Sequence, residues 1–421
     1  MKINVLVFIM LFVGLFLAAP NSVWAQSDPL ELQWSKTYHE YGFASVFQTF
    51  DGGFLIAGSN LTSFPEYLTL IKINSDGEME WRKTYSEITW VPALMYETDS
   101  SYLLLHDNLA TYGIVNLLKV EFQGNFEWSK SLFFGRSQAF TQYVRGLFDV
   151  DATSCVLSIF ESDARGGGYR SRFMCYDVYN EVLLWTKSIE GVRVAVVLPF
   201  GSDEGYYVAG SQDKQPWFAK LNSNYEIIWS RTYDTLSSSG LSGVSSVIPT
   251  IDGGFLLGGF LSGSGGVSFV VKTDGDGMGV WRWKHDSLIY DGVEIERGQY
   301  LVFSSSDLIC VSASGKVLWV EPFSKYLEDP VSLANFTYVR GVVSAFVGEG
   351  DSVVVAIPFG VSGDYTSCLW VASFVVKSSS SVVVNSSSID YAGVVCVVGV
   401  GVGVFVGVLT YLKKRYRLNS V

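Results

Sequence analysis

The sequence predicts an all-β protein built from a repeated four-stranded unit, and three observations support this prediction. First, a tryptophan recurs at the end of one short phrase, with successive copies 38 to 57 residues apart. Second, glycine accounts for 42 of the 421 residues, aromatic residues for 15% and charged residues for only 17%, which is typical of a turn-rich β protein. Third, short apolar runs alternate with glycine-containing tight turns. The recurring tryptophans are Trp34, Trp81, Trp128, Trp185, Trp229, Trp281 and Trp319.

The interval from Trp34 to Trp81 shows the unit most clearly. Two tight turns, Asp51-Gly52-Gly53 and Ser75-Asp76-Gly77, each separate a pair of apolar runs. Glycine suits these turns because it accepts the positive φ that a short hairpin needs. The four predicted strands are Ala44–Phe50, Phe54–Ser59, Tyr67–Asn74 and Glu78–Tyr85.

A four-stranded unit of this length cannot bury both of its faces alone, but units stacked around an axis can. The repeat therefore predicts a seven-bladed β-propeller, with six or eight blades and a linear solenoid as the alternatives. The segment after Trp319 holds only three further strands. We predict that the N-terminal strand Leu30–Trp34 completes the last blade, and that each tryptophan lies on the outermost strand between neighbouring blades.

The repeat resembles a known family. The segment Val311–Trp319 is similar to the repeats of quinoprotein-like (PQQ-type) propellers. The phrase Asp-Gly-Gly-Phe-Leu-Ile-Ala-Gly at Asp51–Gly58 resembles that of poorly characterised secreted or membrane-anchored prokaryotic propellers, including archaeal ones. The resemblance covers roughly residues 30–377 and implies the fold, since propellers host many functions. Dehydrogenases of the family carry an adjacent pair of cysteines, which this chain lacks, so no cofactor is predicted.

Both ends of the chain are predicted to be membrane signals. Residues 1–25 combine Lys2, an apolar run and a small residue at Ala25, which is typical of a signal peptide. Residues 26–377 are the predicted propeller ectodomain and residues 378–390 a Ser-rich stalk. Residues 391–412 carry no charge and are long enough for a transmembrane helix, and the basic tail 413–421 follows. The predicted protein is single-pass in the plasma membrane, with its N-terminal domain extracellular and its C-terminus cytoplasmic.

The net charge of the chain limits the classes of molecule that it can bind. The chain carries a net charge of −12. Five of its cations lie outside the predicted ectodomain and stalk, residues 26–390, whose net charge is therefore −17. An acidic domain excludes nucleic acid, which needs clustered cations. The five cations are Lys2, Lys413, Lys414, Arg415 and Arg417.

Other patterns indicate candidate sites. Cys155 and Cys175 fall in one repeat and are either a cross-strand disulfide or two buried thiols. Gly399, Gly403 and Gly407 share one face of the predicted membrane helix and are candidates for a homodimer contact, the alternative being a simple anchor. Candidate N-glycosylation sequons begin at Asn60, Asn335 and Asn385.

No catalytic, cofactor-binding or metal-binding residue is predicted. The chain has three histidines, His39, His106 and His285, and none belongs to a metal or triad motif. Loops held on a rigid scaffold commonly carry the binding residues of a protein. We therefore predict a scaffold that binds an unknown extracellular protein or glycan through its variable loops, where Tyr41, Phe43, Trp90 and Phe134 lie. The alternatives are an extracytoplasmic enzyme, glycan-active or redox, and a structural component of the cell envelope.

Overall fold

A computed structural model shows seven antiparallel sheets arranged as the blades of a β-propeller. The predicted fold is confirmed. The structure describes residues 29–38, 45–59, 67–90, 92, 94–108, 113–134, 140–148, 150, 153–163, 168–200, 204–234, 242–261, 267–296, 298–326, 336–339, 344–347, 352–361 and 367–376.

Six blades each contain four strands that follow one another along the chain, from the innermost strand to the outermost. Blade 1 is β2 (Ser45–Gln48), β3 (Phe54–Ser59), β4 (Leu68–Ile73) and β5 (Met79–Tyr85). Blade 2 is β6 (Leu94–Glu97), β7 (Ser101–Asn108), β8 (Ile114–Glu121) and β9 (Phe126–Phe133). Blade 3 is β10 (Phe140–Phe148), β11 (Ser154–Asp163), β12 (Tyr169–Asp177) and β13 (Val182–Glu190). Blade 4 is β14 (Val192–Pro199), β15 (Tyr206–Gln212), β16 (Gln215–Leu221) and β17 (Ile227–Thr232). Blade 5 is β18 (Ser242–Pro249), β19 (Phe255–Leu261), β20 (Ser268–Thr273) and β21 (Gly279–His285). Blade 6 is β22 (Ile289–Glu296), β23 (Gln299–Ser304), β24 (Asp307–Val311) and β25 (Val317–Pro322), followed by a 3-10 turn at Phe323–Lys325.

Blade 7 joins the two ends of the propeller. Its innermost position is shared by β26 (Phe336–Val339) and β27 (Ser344–Val347), which both pair with β28 (Ser352–Val361). The outer strands are β29 (Ser367–Val376) and the N-terminal β1 (Leu30–Tyr38), which run antiparallel with Leu30 opposite Val376. The predicted closing strand is thus present and extends four residues beyond Trp34.

The hydrophobic core consists of one cluster at each of the seven interfaces between blades. The second and third strands of a blade are covered on both faces, and β3 and β4 are buried along their whole length. The outermost strands are largely exposed, as in β5. Because the middle strands face two neighbouring blades, their sequences are continuous apolar runs and do not alternate.

The predicted membrane segments lie outside the described residues. Leu30–Val376 form one compact unit. Within the described part of the chain, no helix has the length and apolarity needed to cross a membrane. The signal peptide, the stalk, the membrane helix and the tail therefore stay predictions.

Candidate functional site

The propeller has two different ends. One end of the propeller, which we call the hairpin rim, carries the turns that join first to second strands and third to fourth strands. Residues 50–53 and 74–78 are examples of these turns. We call variable-loop rim the opposite end, where second strands connect to third strands and one blade connects to the next. Much of that rim, including Tyr41, Phe43 and residues 60–66, lies outside the described residues.

At the hairpin rim, the repeat tryptophans contact the next blade. Each lies on the outermost strand of its blade, and four of them lie against a positive-φ glycine in the third-to-fourth-strand turn of the following blade. A Cβ atom at any of these glycines would come within 2.6 to 2.8 Å of the indole ring. The four pairs are Trp34 with Gly77, Trp81 with Gly124, Trp229 with Gly277 and Trp281 with Gly315.

The remaining tryptophans meet other partners. Trp185 packs on Tyr225, with ring centroids 4.9 Å apart, and Tyr225 itself has a positive φ of 63° in the equivalent turn. Trp128 packs edge-on against Tyr179 of the next blade. Trp319 packs against the core cluster shared by blades 6 and 7. These seven residues hold neighbouring blades together.

Hydrogen bonds explain the rest of the repeated phrase. The indole N–H of Trp81 donates to the carbonyl of Phe122 at 2.8 Å, and that of Trp281 donates to Ala313 at 2.6 Å. Four residues after the tryptophan, the Tyr85 hydroxyl donates to the Gly124 carbonyl at 2.8 Å. The phrase Trp-Arg-Lys-Thr-Tyr therefore attaches one blade to the next turn at two points.

Charged groups at the hairpin rim are paired with one another. The ammonium group of Lys72, a residue only 2% exposed, lies 2.8 Å from the Asp51 carboxylate and 3.1 Å from that of Glu80. The Phe50 N–H donates to Glu97 of the next blade at 2.6 Å. A cavity of about 680 Å³ beside these groups is lined by Asp51, Lys72, Glu80 and Glu97, which already have partners, and by Asp99.

Blade 5 repeats this arrangement. Lys272 lies 2.9 Å from the Asp252 carboxylate, and the Ile251 N–H donates to Glu294 at 2.6 Å. Because the same contacts occur in two blades, we interpret them as a structural part of the repeat and not as a site.

At the variable-loop rim, blades 3 and 4 enclose a cavity of about 630 Å³. Two arginines line it, one on the innermost strand of each blade, and each guanidinium lies over an aromatic ring. The Arg145 carbon Cζ is 5.1 Å from the centroid of Tyr143, and that of Arg193 is 5.0 Å from the centroid of Phe160. Ser162, Tyr169 and Ser211 complete the lining.

Arg145 owes its position to a β-bulge. The pairing of β10 with β11 shifts between Val144 and Gly146, which leaves Arg145 as the extra residue. The innermost strands of blades 4, 5 and 6 have the same bulge. The extra residues there are Ala195, Ser245 and Tyr290, so blade 3 carries the only cation at this position among these four blades. Bulges commonly redirect a side chain next to functional sites.

Neither cavity arginine forms a salt bridge with a described residue. The buried carboxylate of Glu161 is occupied, and Asp107 acts on Arg145 only through its charge. Glu161 is 1% exposed and accepts from Gln142 at 2.5 Å, from Arg170 at 2.6 Å and from Arg172. Burial would raise the pKa of Glu161, but the hydrogen bonds from Gln142 and Arg170 and the charge of Arg172 lower it overall.

The cavity also contains polar atoms that lack hydrogen-bond partners in the described structure. These are the buried Nε of Arg145 and the hydroxyl of Ser211, a residue only 2% exposed. Burial lowers the pKa of the Arg145 guanidinium, the charge of Arg193 lowers it further, and Asp107 opposes this effect. Since buried polar groups are normally paired with protein or water, these two atoms are available to hydrogen-bond a molecule in the cavity.

Other residues singled out from the sequence are packed locally. Trp90 stacks on His106, with centroids 5.3 Å apart, and Phe134 packs edge-on against Tyr176. His285 stacks on Trp283. In the described part of the chain, no three His, Cys, Asp or Glu residues are grouped as metal ligands. His39 lies outside the described residues.

The Cys155–Cys175 disulfide is not formed, which corrects one of the two alternatives drawn from the sequence. Both cysteines are buried and neither belongs to a disulfide. Cys155 lies opposite Tyr176, whereas Cys175 lies opposite Val156. Side chains of successive strand residues point to opposite faces. Cys155 therefore packs in the cluster between blades 2 and 3, and Cys175 in the cluster between blades 3 and 4.

The remaining candidate sites lie outside the described residues. They are the sequons at Asn60, Asn335 and Asn385 and the membrane glycines Gly399, Gly403 and Gly407.

Comparisons with known proteins agree with the fold. No protein-family model matches the chain, and no curated protein matches it in sequence. Among solved structures, the RRP9 WD40 repeats share 12% identity, over 82% of this chain and 99% of theirs, with a TM-score of 0.50. The quinohemoprotein alcohol dehydrogenase ADHIIG from Pseudomonas putida HK5 shares 8% identity, over 83% of this chain and 76% of its own, with a TM-score of 0.49. The chain is a seven-bladed β-propeller. Identities this low say nothing about activity.

Sequence reasoning missed the two cavity arginines. Arg145 and Arg193 lie 48 positions apart in two different repeats, and the repeat of Arg145 is the least regular of the chain. One signal was available: the run Tyr143-Val144-Arg145 places a cation where the following blades have small or aromatic residues. Recognising it requires the position of the bulge, which the sequence pattern does not show.

Proposed function

We propose that this protein is a membrane-anchored cell-surface β-propeller that acts as a binding scaffold, with its binding surface on the variable-loop rim. The observation that carries the proposal is the contrast between the two rims. At the hairpin rim, tryptophans contact the neighbouring blade, and buried lysines are paired with carboxylates of their own blade. At the variable-loop rim, a cavity holds two arginines without ion-pair partners among the described residues.

A bulky label tests which rim binds. Gln215 and Ser223 are exposed residues of blade 4, at opposite ends of strand β16. In the full-length chain, Gln215→Cys and Ser223→Cys are each coupled to a polyethylene glycol maleimide. Binding of the chain to isolated extracellular glycans and envelope proteins is then compared. We expect the label at position 215 to abolish binding and the label at position 223 to leave it unchanged. Equal binding by both labelled chains would contradict the proposal.

A second experiment tests the membrane arrangement. A membrane-impermeant maleimide is applied to cells that express Ser223→Cys or Ser420→Cys in the full-length chain. We expect labelling of position 223 on intact cells, because the propeller is outside, and labelling of position 420 only after permeabilisation. Labelling of position 420 on intact cells, or release of the chain into the medium, would exclude this topology.

A further inference from the structure

The cavity between blades 3 and 4 is lined by positive charge, although the protein as a whole is acidic. The whole chain has a net charge of −12, so two neighbouring guanidinium groups form a local exception. Arginine binds carboxylates well because its planar group can donate two parallel hydrogen bonds. Like-charged groups held together and partly buried are unfavourable unless an anion compensates them. Asp107 offsets part of this repulsion at Arg145, and a carboxylate bound in the cavity would face both arginines.

The walls of the cavity restrict the kind of anion. Tyr143, Phe160 and Tyr169 contribute rings, with Phe160 and Tyr169 centroids 6.3 Å apart. The Tyr169 hydroxyl accepts the Asp213 N–H at 2.8 Å. The Ser211 hydroxyl lacks a partner in the described structure. Aromatic faces pack against the C–H faces of sugar rings, and hydroxyl groups exchange hydrogen bonds with sugar hydroxyls.

From these observations we infer that the cavity binds a sugar acid, with its carboxylate held by Arg145 and Arg193 and its ring placed between the aromatic walls and Ser211. A volume of about 630 Å³ is within the range of small-molecule sites and accommodates one or two sugar rings. The inference rests on the proposed function, because it supplies the ligand class of the variable-loop rim. An acidic peptide is the competing occupant. It is less favoured because the rings and hydroxyl groups that line the cavity match the faces and hydroxyls of a sugar.

The test uses the full-length chain in a mild detergent, with D-glucuronate as the probe and titration calorimetry as the measurement. D-Glucuronamide is the matched ligand control, since it keeps the ring and replaces the carboxylate by a neutral amide. Arg193→Gln and Arg145→Gln remove the two cations. Lys187→Gln is the matched control variant, because it removes a positive charge from the exposed outer strand of blade 3. The melting temperature of each variant verifies that it is folded.

We expect glucuronate to bind the natural chain and Lys187→Gln equally. Binding should weaken at least about 10-fold with Arg193→Gln, with Arg145→Gln and with glucuronamide as the ligand, which corresponds to about 1.4 kcal/mol or more. If a variant without Arg145 does not fold, Arg193→Gln and Ser211→Ala carry the test, and Ser211→Ala should weaken binding several-fold.

Three results would overturn the inference: no binding of glucuronate at millimolar concentration, equal binding by Arg193→Gln, or tighter binding of an acetylated Glu-containing peptide than of glucuronate. These outcomes are separable from the proposed function. If a label at position 215 blocks binding to extracellular material while glucuronate does not bind, the scaffold function stands and only the ligand class fails. If glucuronate binds while both labels have the same effect, the cavity is a sugar-acid site and the scaffold function fails.

Discussion

The indole ring of Trp34 lies against Gly77, where a Cβ atom would be only 2.6 Å from the Trp34 carbon Cε3. Trp34 belongs to the N-terminal strand that completes blade 7, and Gly77 to a hairpin turn of blade 1. This contact therefore lies at the junction where the ring closes. The same relationship recurs at other junctions, which gives the repeated tryptophan its structural meaning.

Replacing Gly77 by Ala should destabilise the protein more than replacing Gly52 by Ala. Both glycines have a positive φ, 75° and 79°, so both substitutions incur roughly 1 kcal/mol of backbone strain. Only at Gly77 does the new methyl group collide with Trp34, whereas nothing lies within 4 Å at Gly52. Overpacking adds about 1–3 kcal/mol. The free energies of unfolding in denaturant measure the difference, and equal losses would show that the contact does not contribute.

Trp34→Ala should lower stability more than Trp128→Ala. Trp34 connects the strand that closes the ring to the first blade, whereas Trp128 lies between two blades that are already joined by a loop. Truncation of a packed aromatic costs about 3 kcal/mol or more, and at position 34 loss of closure adds to this cost. Thermal unfolding of the two full-length variants checks the prediction. A melting temperature for Trp34→Ala at or above that of Trp128→Ala would remove the support for Trp34 as a closing residue.

The ion pair between Asp252 and Lys272 should make stability sensitive to acid. Burial would raise the pKa of Asp252, but hydrogen bonds from Thr250 and Lys272 outweigh it and lower the pKa from 3.8 to about 2. Because the folded-state pKa is lowered, the pair stabilises the protein above pH 3.8, and its contribution is lost as the pH falls towards 2. Asp252→Asn should therefore melt below the natural chain at pH 6, and the difference should shrink as the pH approaches 2.

The control for this prediction is Asp276→Asn, which changes an exposed turn of the same blade and leaves the Asp252–Lys272 pair intact. It should retain the acid sensitivity of the natural chain. A difference between Asp252→Asn and the natural chain that stays constant from pH 6 to pH 2 would contradict the assignment.

Cys155 and Cys175 should be thiols in the folded protein and should resist alkylation, because both are buried. Iodoacetamide without reductant should modify neither in the native state and both after denaturation, as measured by mass spectrometry of the peptides. A disulfide-linked peptide pair would contradict the placement of the two residues on opposite faces of their sheet.

Much of the fold could be predicted from local patterns. The tryptophan phrase, the glycine turns and the apolar runs predicted four strands per unit because strand, turn and burial preferences are properties of short segments. The role of Leu30–Trp34 also followed from the sequence, since only three strands follow Trp319. The turn glycines at Gly77 and Gly124 were visible as turn residues, but their contact with a tryptophan of the preceding blade was not.

Tertiary structure decided the features that depend on register and on neighbours distant in sequence. Cys155 and Cys175 are offset by one residue in the pairing of their strands, so their side chains point to opposite faces of the sheet. Composition does not show this register. In the cavity between blades 3 and 4, Arg145 at a bulge of β10 lines the same space as Arg193 of the next blade. The sequence by itself thus determined the repeat and its closure through local propensity and periodicity. Only the tertiary structure determined which charged side chains lie together, because that depends on the packing of one blade against the next.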